Sequence, residues 1–304
     1  MLAPMQGLTN RGLRAVYAKT ARPDVLFTEF VRVAARGQSL ITHSDLLEAT
    51  TCPPGIPLVV QVIGCLDEGV LEATRLLVDR GVEHINVNMG CPFGRMNSVL
   101  AGGGMFKHPD TIEPMLTQMR KLVPGSLSVK TRTGLEDERE ILPLLPAFEN
   151  AGIDFLVVHS RTVRQKYKGQ ANHDLTREIV ASTQLPVIAN GDITDPQRAA
   201  QVLEHTQAAG LMLGRGAIAD PRLFERIRGT EPERPLGPSN QKQLKKHLLA
   251  LLEEYEKLFC GDAQVLSKMK ETLVHIKQPD VARWAKKLVK RRTLTDFRMM
   301  LSES

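Results

Sequence analysis

The sequence predicts an α/β protein: a (β/α)8 barrel of the TIM type over residues 1–230, a linker over 231–240, and a small all-helical domain over 241–304. Three observations predict it. Eight short apolar runs alternate with amphipathic segments over about 225 residues, close to the roughly 250 that such a barrel needs. At least six of those runs end in a residue able to do chemistry, which suits a barrel because all its strand ends meet at one mouth. The competing doubly wound open sheet would bring only a few ends to its crevice, and no Gly-x-Gly-x-x-Gly follows the first run.

The first strand is expected at Leu2-Ala3-Pro4-Met5, with Thr9 or Asn10 capping a helix through Leu13, Val16 and Tyr17. The second strand is residues 25–29. The third, residues 57–63, is apolar nearly throughout, as a strand covered on both faces should be. Asp67 opens an amphipathic helix with Val70, Leu71, Leu76, Leu77 and Val78, closed near Gly81. The fourth strand runs from His84 into Asn88-Met89-Gly90-Cys91-Pro92. Further strands are expected at 126–130, 155–159, 186–190 and 210–214. Helices are expected between them at about 109–122, through Ile141 to Phe148, at 174–182, and from Asp195-Pro196 through Leu203. Three prolines and a glycine between 231 and 240 mark the linker. Beyond it, Leu244, Leu248, Leu251, Leu252, Tyr255, Leu258 and Phe259 keep helical spacing, and two or three more helices follow.

Composition narrows the class of function. The four cysteines, Cys52, Cys65, Cys91 and Cys260, form no CxxC pair and keep no ligand-like distance from a histidine, so no metal site is expected. They suit a reducing compartment. With no leader sequence and no 18-residue apolar run, a cytoplasmic protein without membrane association is expected, working as a monomer. Residues 240–304 hold 14 Lys and Arg against 8 Asp and Glu, which accounts for the whole formal charge of +6. A neutral body with a basic appendage suits a polyanionic partner; a merely solvated helical face is the alternative.

The strand ends bring together Gln61, Asn88, Lys130, Arg132, His159, Asn190 and Arg215, with almost no carboxylate among them. Amide, ammonium, imidazole and guanidinium groups around one opening suit an anionic cofactor whose rings need hydrogen bonds. Gly214-Arg215-Gly216 after the eighth strand lies where barrels hold phosphate, and Asn190-Gly191-Asp192 offers the other half of the cradle. The cofactor suggested is FMN, with ring contacts from Met5, Gln61 and Lys130.

Eight ordered segments then carry a resemblance that spans nearly the whole chain: Ala3-Pro4-Met5, Thr28-Glu29-Phe30-Val31-Arg32-Val33, Gln61, Asn88-Met89-Gly90-Cys91-Pro92, Val129-Lys130-Thr131-Arg132, Val158-His159-Ser160-Arg161-Thr162, Ile188-Ala189-Asn190-Gly191-Asp192 and Gly214-Arg215-Gly216. In these the chain resembles the tRNA-dihydrouridine synthase family, and the segment from Thr28 to Val33 is most similar to the C-type bacterial enzymes. The resemblance implies an FMN barrel and a helical tRNA-binding domain, which together reduce the C5–C6 double bond of a D-loop uridine with NADPH as reductant. It implies Cys91 as the proton donor, a task that suits a thiol because the reference pKa of about 8.5 leaves it mostly protonated yet labile. It implies Ala3, Pro4, Met5, Gln61, Lys130, His159, Asn190, Gly191, Asp192, Gly214 and Arg215 at the flavin. Arg32, Asn88, Arg132, Lys268 and Lys270 are implied on the tRNA side. The C-type likeness points to position 16; position 20 or 20a is the alternative.

The chain departs from the family pattern at three places. Asn86 stands where many relatives carry Asp. Gly94 stands where they carry a lysine, leaving Arg95 beside it to take over a substrate contact. The run Ala101-Gly102-Gly103-Gly104 is displaced by about two residues. Two further readings stay open at this point: a small-molecule oxidoreductase on an FMN barrel, and a tRNA-binding protein without activity.

Overall fold

In the computed structural model, which describes residues 1–34, 40–65, 67–93 and 101–302, the alternating runs form one parallel sheet. Its strands are β1 (Leu26–Phe27), β2 (Val31–Arg32), β3 (Leu58–Ile63), β4 (His84–Met89), β5 (Leu127–Arg132), β6 (Phe155–His159), β7 (Val187–Asn190) and β8 (Gly210–Met212). From β3 to β8 each strand pairs with the next in sequence. The sheet closes through Leu2, which bridges Leu26 on one side and Leu213 on the other. The predicted first strand is therefore a single bridging residue. The predicted second, 25–29, holds only the short β1, which pairs with the start of β3; β2 lies beyond it, was not expected, and pairs with the end of β3. Between them the Thr28 hydroxyl accepts from the Gln61 N–H at 3.0 Å.

Strand parity sorts the lumen into layers, because alternate residues face inward. Ala3, Phe27, Val59, Val157, Ile188 and Met212 form an apolar floor. Above it Gln61, Asn86 and Ser128 sit side by side in register across β3, β4 and β5. Gln61 donates to Asn86 Oδ1 at 2.7 Å, and Asn86 donates to Ser128 Oγ at 2.8 Å. A carboxylate at position 86 could accept from both Gln61 and the Ser128 hydroxyl, but as a buried charge; the amide makes both contacts while staying neutral. Asn88, Lys130, Arg132, His159 and Asn190 continue the inward faces toward the mouth.

Outside the sheet lie α1 (Arg11–Thr20), α2 (His43–Thr50), α3 (Glu68–Asp79), α4 (Ile112–Leu122), α5 (Leu145–Asn150), α6 (His173–Ala181), α7 (Pro196–Thr206), α8 (Arg215–Ala219) and α9 (Leu223–Ile227). Asn10 caps α1, accepting from Leu13 N–H at 3.1 Å, and Asp195 caps α7. Pro143 and Pro146 divide the expected helix around residue 145 into a 3-10 turn and the short α5. No expected helix covers α2.

The C-terminal part is α10 (Pro238–Leu258), α11 (Asp262–Leu273), α12 (Pro279–Val289) and α13 (Leu294–Ser302). α10 starts within the expected linker, on a proline at its first turn. That stretch is fastened: Arg226 donates to Pro232 O at 3.2 Å and pairs with Asp220, while Asp280 accepts from Gly237 N–H and Asn240. α10 lies along α1, where Gly12 allows close approach; a Cβ there would meet the Tyr255 ring at 3.1 Å. Tyr17 donates to Ala217 O at 2.7 Å and meets Phe224 and His247 edge-on. One buried apolar cluster therefore runs from Leu2 and Leu13 through Tyr17 into Leu251, Val265, Val281 and Phe297. Among the described residues no helix is long and apolar enough to cross a membrane.

Candidate functional site

Two adjoining chambers open at the C-terminal ends of the strands. The first, about 580 Å³, is lined by Ala3, Pro4, Met5, Lys130, His159, Asn190, Gly191, Asp192, Gly214 and Arg215. The second, about 870 Å³, is lined by Arg32, Gln61, Asn88, Cys91 and Arg132, and shares Pro4, Met5, Lys130, His159 and Arg215 with the first. The structure thus gathers all the residues expected from the strand ends. Lys268 and Lys270 line neither chamber, and Arg95 lies outside the described residues.

The Cys91 loop is anchored through its backbone. Asn88 Oδ1 accepts from the N–H groups of Gly90 and Cys91, both at 3.0 Å, while its amide nitrogen donates to Gln61 at 2.8 Å. Arg132, expected to face tRNA, is buried and donates to Gly90 O, Thr162 O and Lys166 O. Its role here is to clamp two loops together, because three carbonyls take up its guanidinium. Beneath the cysteine lies the glycine run. A Cβ on Gly103 would meet Val163 at 2.6 Å, and one on Gly102, whose φ is +51°, would meet Cys91 Cβ at 3.1 Å. Only glycine lets that floor approach so closely.

The first chamber is organised by Arg161, which the strand-end reasoning passed over. It is buried and donates to His159 Nε2 at 3.0 Å, Gly169 O at 2.7 Å and Asp192 Oδ2 at 2.5 Å. Arginine has only donors, so His159 Nε2 must accept and its proton must sit on Nδ1. Burial, with Lys130, Arg132, Arg161 and Arg215 around the ring, holds His159 well below its ordinary pKa. It is a neutral hydrogen-bond donor. Burial works to raise Asp192, but hydrogen bonds from Ala171 N–H and Arg161, with Arg215 nearby, bring it below its usual value. Asp192 is therefore a bracket between Arg161 and Arg215 more than a free ligand group.

Lys130 donates to Asn190 Oδ1 at 3.2 Å, and Asn190 donates to Met212 O at 2.7 Å. Burial first, then Arg132, brings the Lys130 pKa down to about 7, with Cys91 acting the other way. An anion bound beside it would favour the charged form, so binding above pH 7 must take up a proton. Affinity for an anionic flavin is thus expected to be full below pH 7 and to fall, by up to about tenfold per pH unit, as pH rises past it. Fluorescence of released FMN at pH 6 and 8.5 checks this, and Lys130→Met should flatten the profile.

Donor chemistry fits a phosphorylated isoalloxazine. Gly214, Arg215 and Gly216 begin α8 with no side-chain cap, and a Cβ on Gly216 would collide with Ile193 O at 2.2 Å, fixing the turn against the β7 loop. Gly191 (φ +124°) and Asp192 (φ +50°) bend that loop around the same chamber.

The mouth also holds residues that no strand-end argument could find. Tyr167 lies under Arg215 (4.7 Å) and Arg132 (5.5 Å), and its ring is 6.2 Å from Phe93. Both rings are about half exposed. Arg32 is exposed over Phe30 at 5.6 Å. His275, Lys277 and Gln278, between α11 and α12, line the first chamber. Lys268, expected on the tRNA side, pairs with Glu271 at 2.8 Å and reaches Gly7 O at 3.5 Å at the seam between barrel and helices. Exposed cations lie instead on α12 and just beyond, at Arg283, Lys286, Lys287, Lys290 and Arg292, and none forms an ion pair among the described residues. No group of three or more His, Cys, Asp and Glu able to hold a metal occurs among the described residues.

Among solved structures, morphinone reductase in complex with tetrahydroNAD has a TM-score of 0.55 at 13% identity, covering 79% of this chain and 88% of that one. Histamine dehydrogenase from Rhizobium sp. 4-9 has a TM-score of 0.57 at 12% identity, covering 81% of this chain and 47% of that one. These likenesses concern the fold. In sequence, the chain is 33% identical over 268 residues to the tRNA-dihydrouridine synthase B of Vibrio cholerae, covering 84% of this chain and 80% of that protein. It is 33% identical over 271 residues to the synthase B of Yersinia pestis, covering 83% and 80%. Their B designation lends no support to the C-type expectation. Residues 1–298 match the dihydrouridine synthase (Dus) family, and with the strand-end residues gathered at one mouth the chain belongs to that family.

Proposed function

We propose that the protein is an FMN-dependent tRNA-dihydrouridine synthase, reducing the C5–C6 double bond of a D-loop uridine with NADPH as the reductant. The observation that carries this reading is the second chamber: Arg32, Lys130, Arg132, Arg215 and Lys277 line it, no carboxylate does among the described residues, and the half-buried Cys91 opens onto it. A cation-rich hollow rimmed by exposed aromatic rings suits an extruded base and its phosphate.

FMN bound in the first chamber supplies the two-electron hydride chemistry. Lys130 and the neutral His159 hold and polarise its ring, beside Ala3, Pro4, Met5 and Gln61. Asn190, Gly191, Gly214 and Arg215 hold the ribityl and phosphate, with Asp192 bracing Arg215. Cys91 gives its thiol proton to C5 of the uracil as negative charge develops there. Asn88 keeps the cysteine loop in place and faces the base. The helices over 241–304 act as the tRNA-binding part, through the exposed cations on α12 and, nearer the barrel, Lys270. The uridine at position 16 is the target suggested by the segment from Thr28 to Val33.

The test is direct. The purified protein should be yellow, and should oxidise NADPH when given tRNA that lacks dihydrouridine. Mass-spectrometric mapping should then place the new dihydrouridine at position 16. Affinity for tRNA should fall steeply with salt, as phosphate contacts dictate. Equal reduction of free uridine and tRNA would favour a small-molecule oxidoreductase, and a colourless, inactive preparation would sink the enzymatic reading.

A further inference from the structure

We propose that Lys277 and His275, carried by the turn between α11 and α12, complete with Arg215 a phosphate site at the junction of the two chambers. The helical part would then supply a ligand-binding wall of the active site as well as a grip on RNA.

All three residues line both chambers, so they stand where the two meet. Their charge is unbalanced. Arg215 leans on Asp192 at 3.4 Å, but Lys277 is exposed and forms no ion pair or side-chain hydrogen bond among the described residues. A lysine beside an arginine with no carboxylate of its own is an arrangement that an anion stabilises and an empty site does not. His275 is half-buried between them, and burial, then Arg215 and Lys277, keep it below its ordinary pKa, which makes it a neutral donor to such an anion.

The turn is also pre-organised. Ile276 is buried in the shared core, and Gln278 donates to Ala219 O at the end of α8 at 2.6 Å. Gln278 Oε1 is buried without a partner among the described residues, on the first chamber's wall; as an acceptor it would take a hydroxyl donor rather than a phosphate oxygen, so its part in the site is to hold the turn through its amide nitrogen. Two phosphates could meet Lys277: that of the flavin from the first chamber, or that of the target nucleotide from the second. Both are oxyanions, and the site's chemistry is the same for either.

The experiment uses the full-length flavin-loaded protein with Lys277→Ala and Lys277→Arg. Affinities for uridine 5′-monophosphate and for uridine are read from the perturbed flavin absorbance, and FMN release from fluorescence recovered on dilution. A loss of about tenfold for the monophosphate, with uridine unchanged and Lys277→Arg near wild type, assigns the site to the nucleotide. FMN release faster by about tenfold, with the monophosphate unchanged, assigns it to the cofactor. If Lys277→Ala matches wild type on all three readings, the proposal is overturned. Naming the phosphate rests on the synthase reading, but the site itself does not. A preparation without flavin would sink that reading, while inorganic phosphate titrated against wild type and Lys277→Ala by phosphorus NMR would still decide this one.

Discussion

Cys91→Ala is expected to slow tRNA reduction by about two to four orders of magnitude while leaving flavin content, tRNA affinity and flavin reduction by NADPH near wild type. The separation follows from how the loop is held. Asn88 grips it through the N–H groups of Gly90 and Cys91, and Arg132 through Gly90 O, so none of these bonds involves the thiol. Sγ itself makes only a 4.0 Å approach to Phe93 O among the described residues. Removing it deletes a proton source and little packing. Stopped-flow kinetics would show the reduced flavin forming at the normal rate and persisting when tRNA is added. Full turnover in the variant would refute Cys91 as the acid, and loss of flavin would make its role structural.

Arg161→Met is expected to cost about 1–3 kcal/mol of stability. The methionine fills the space, but it leaves the Asp192 carboxylate without its 2.5 Å partner and Gly169 O without a donor. Asp192 is half-buried and keeps the Ala171 N–H and Arg215, so the loss lies between that of an exposed pair broken and that of a buried charge left alone. The acid limb should change too. Asp192 titrates below its ordinary value in the folded protein, so it contributes stability above the unfolded carboxyl pKa of about 3.9, lost as pH falls through the folded value. Without Arg161 that contribution shrinks. His159 would also be free to change tautomer, which nitrogen NMR of labelled histidine reads directly. Urea unfolding supplies the stability, and a loss under about 1 kcal/mol would place the pair among ordinary surface ion pairs.

The barrel was legible because a parallel strand buried on both faces is written as an unbroken apolar run, and because functional groups collect at strand ends. Residues 57–63 and 155–159 needed nothing more. What was not legible depended on contacts distant in sequence. Leu2 serves as a whole stave through two bridges, which one residue cannot advertise. Arg161 follows His159 by two positions, yet its importance comes from Asp192, thirty-one residues on. His275 and Lys277 read as part of a basic tail and only the packing of α11 brings them to the mouth. Arg132 and Lys268 show the converse: their charge was legible but not their partners within the protein, because carbonyls and carboxylates met in the fold cannot be counted from spacing.

Tyr17 has a consequence for how such proteins can diverge. Since its ring and hydroxyl tie α1 and α8 to α10, the C-terminal helices are not a detachable cartridge. A chimera that exchanged residues 238–302 with a relative, hoping to redirect which uridine is chosen, would import a foreign surface into someone else's interior. Exchange should succeed only when the α1 and α8 faces travel with it, so the helical part and the barrel wall are inherited together.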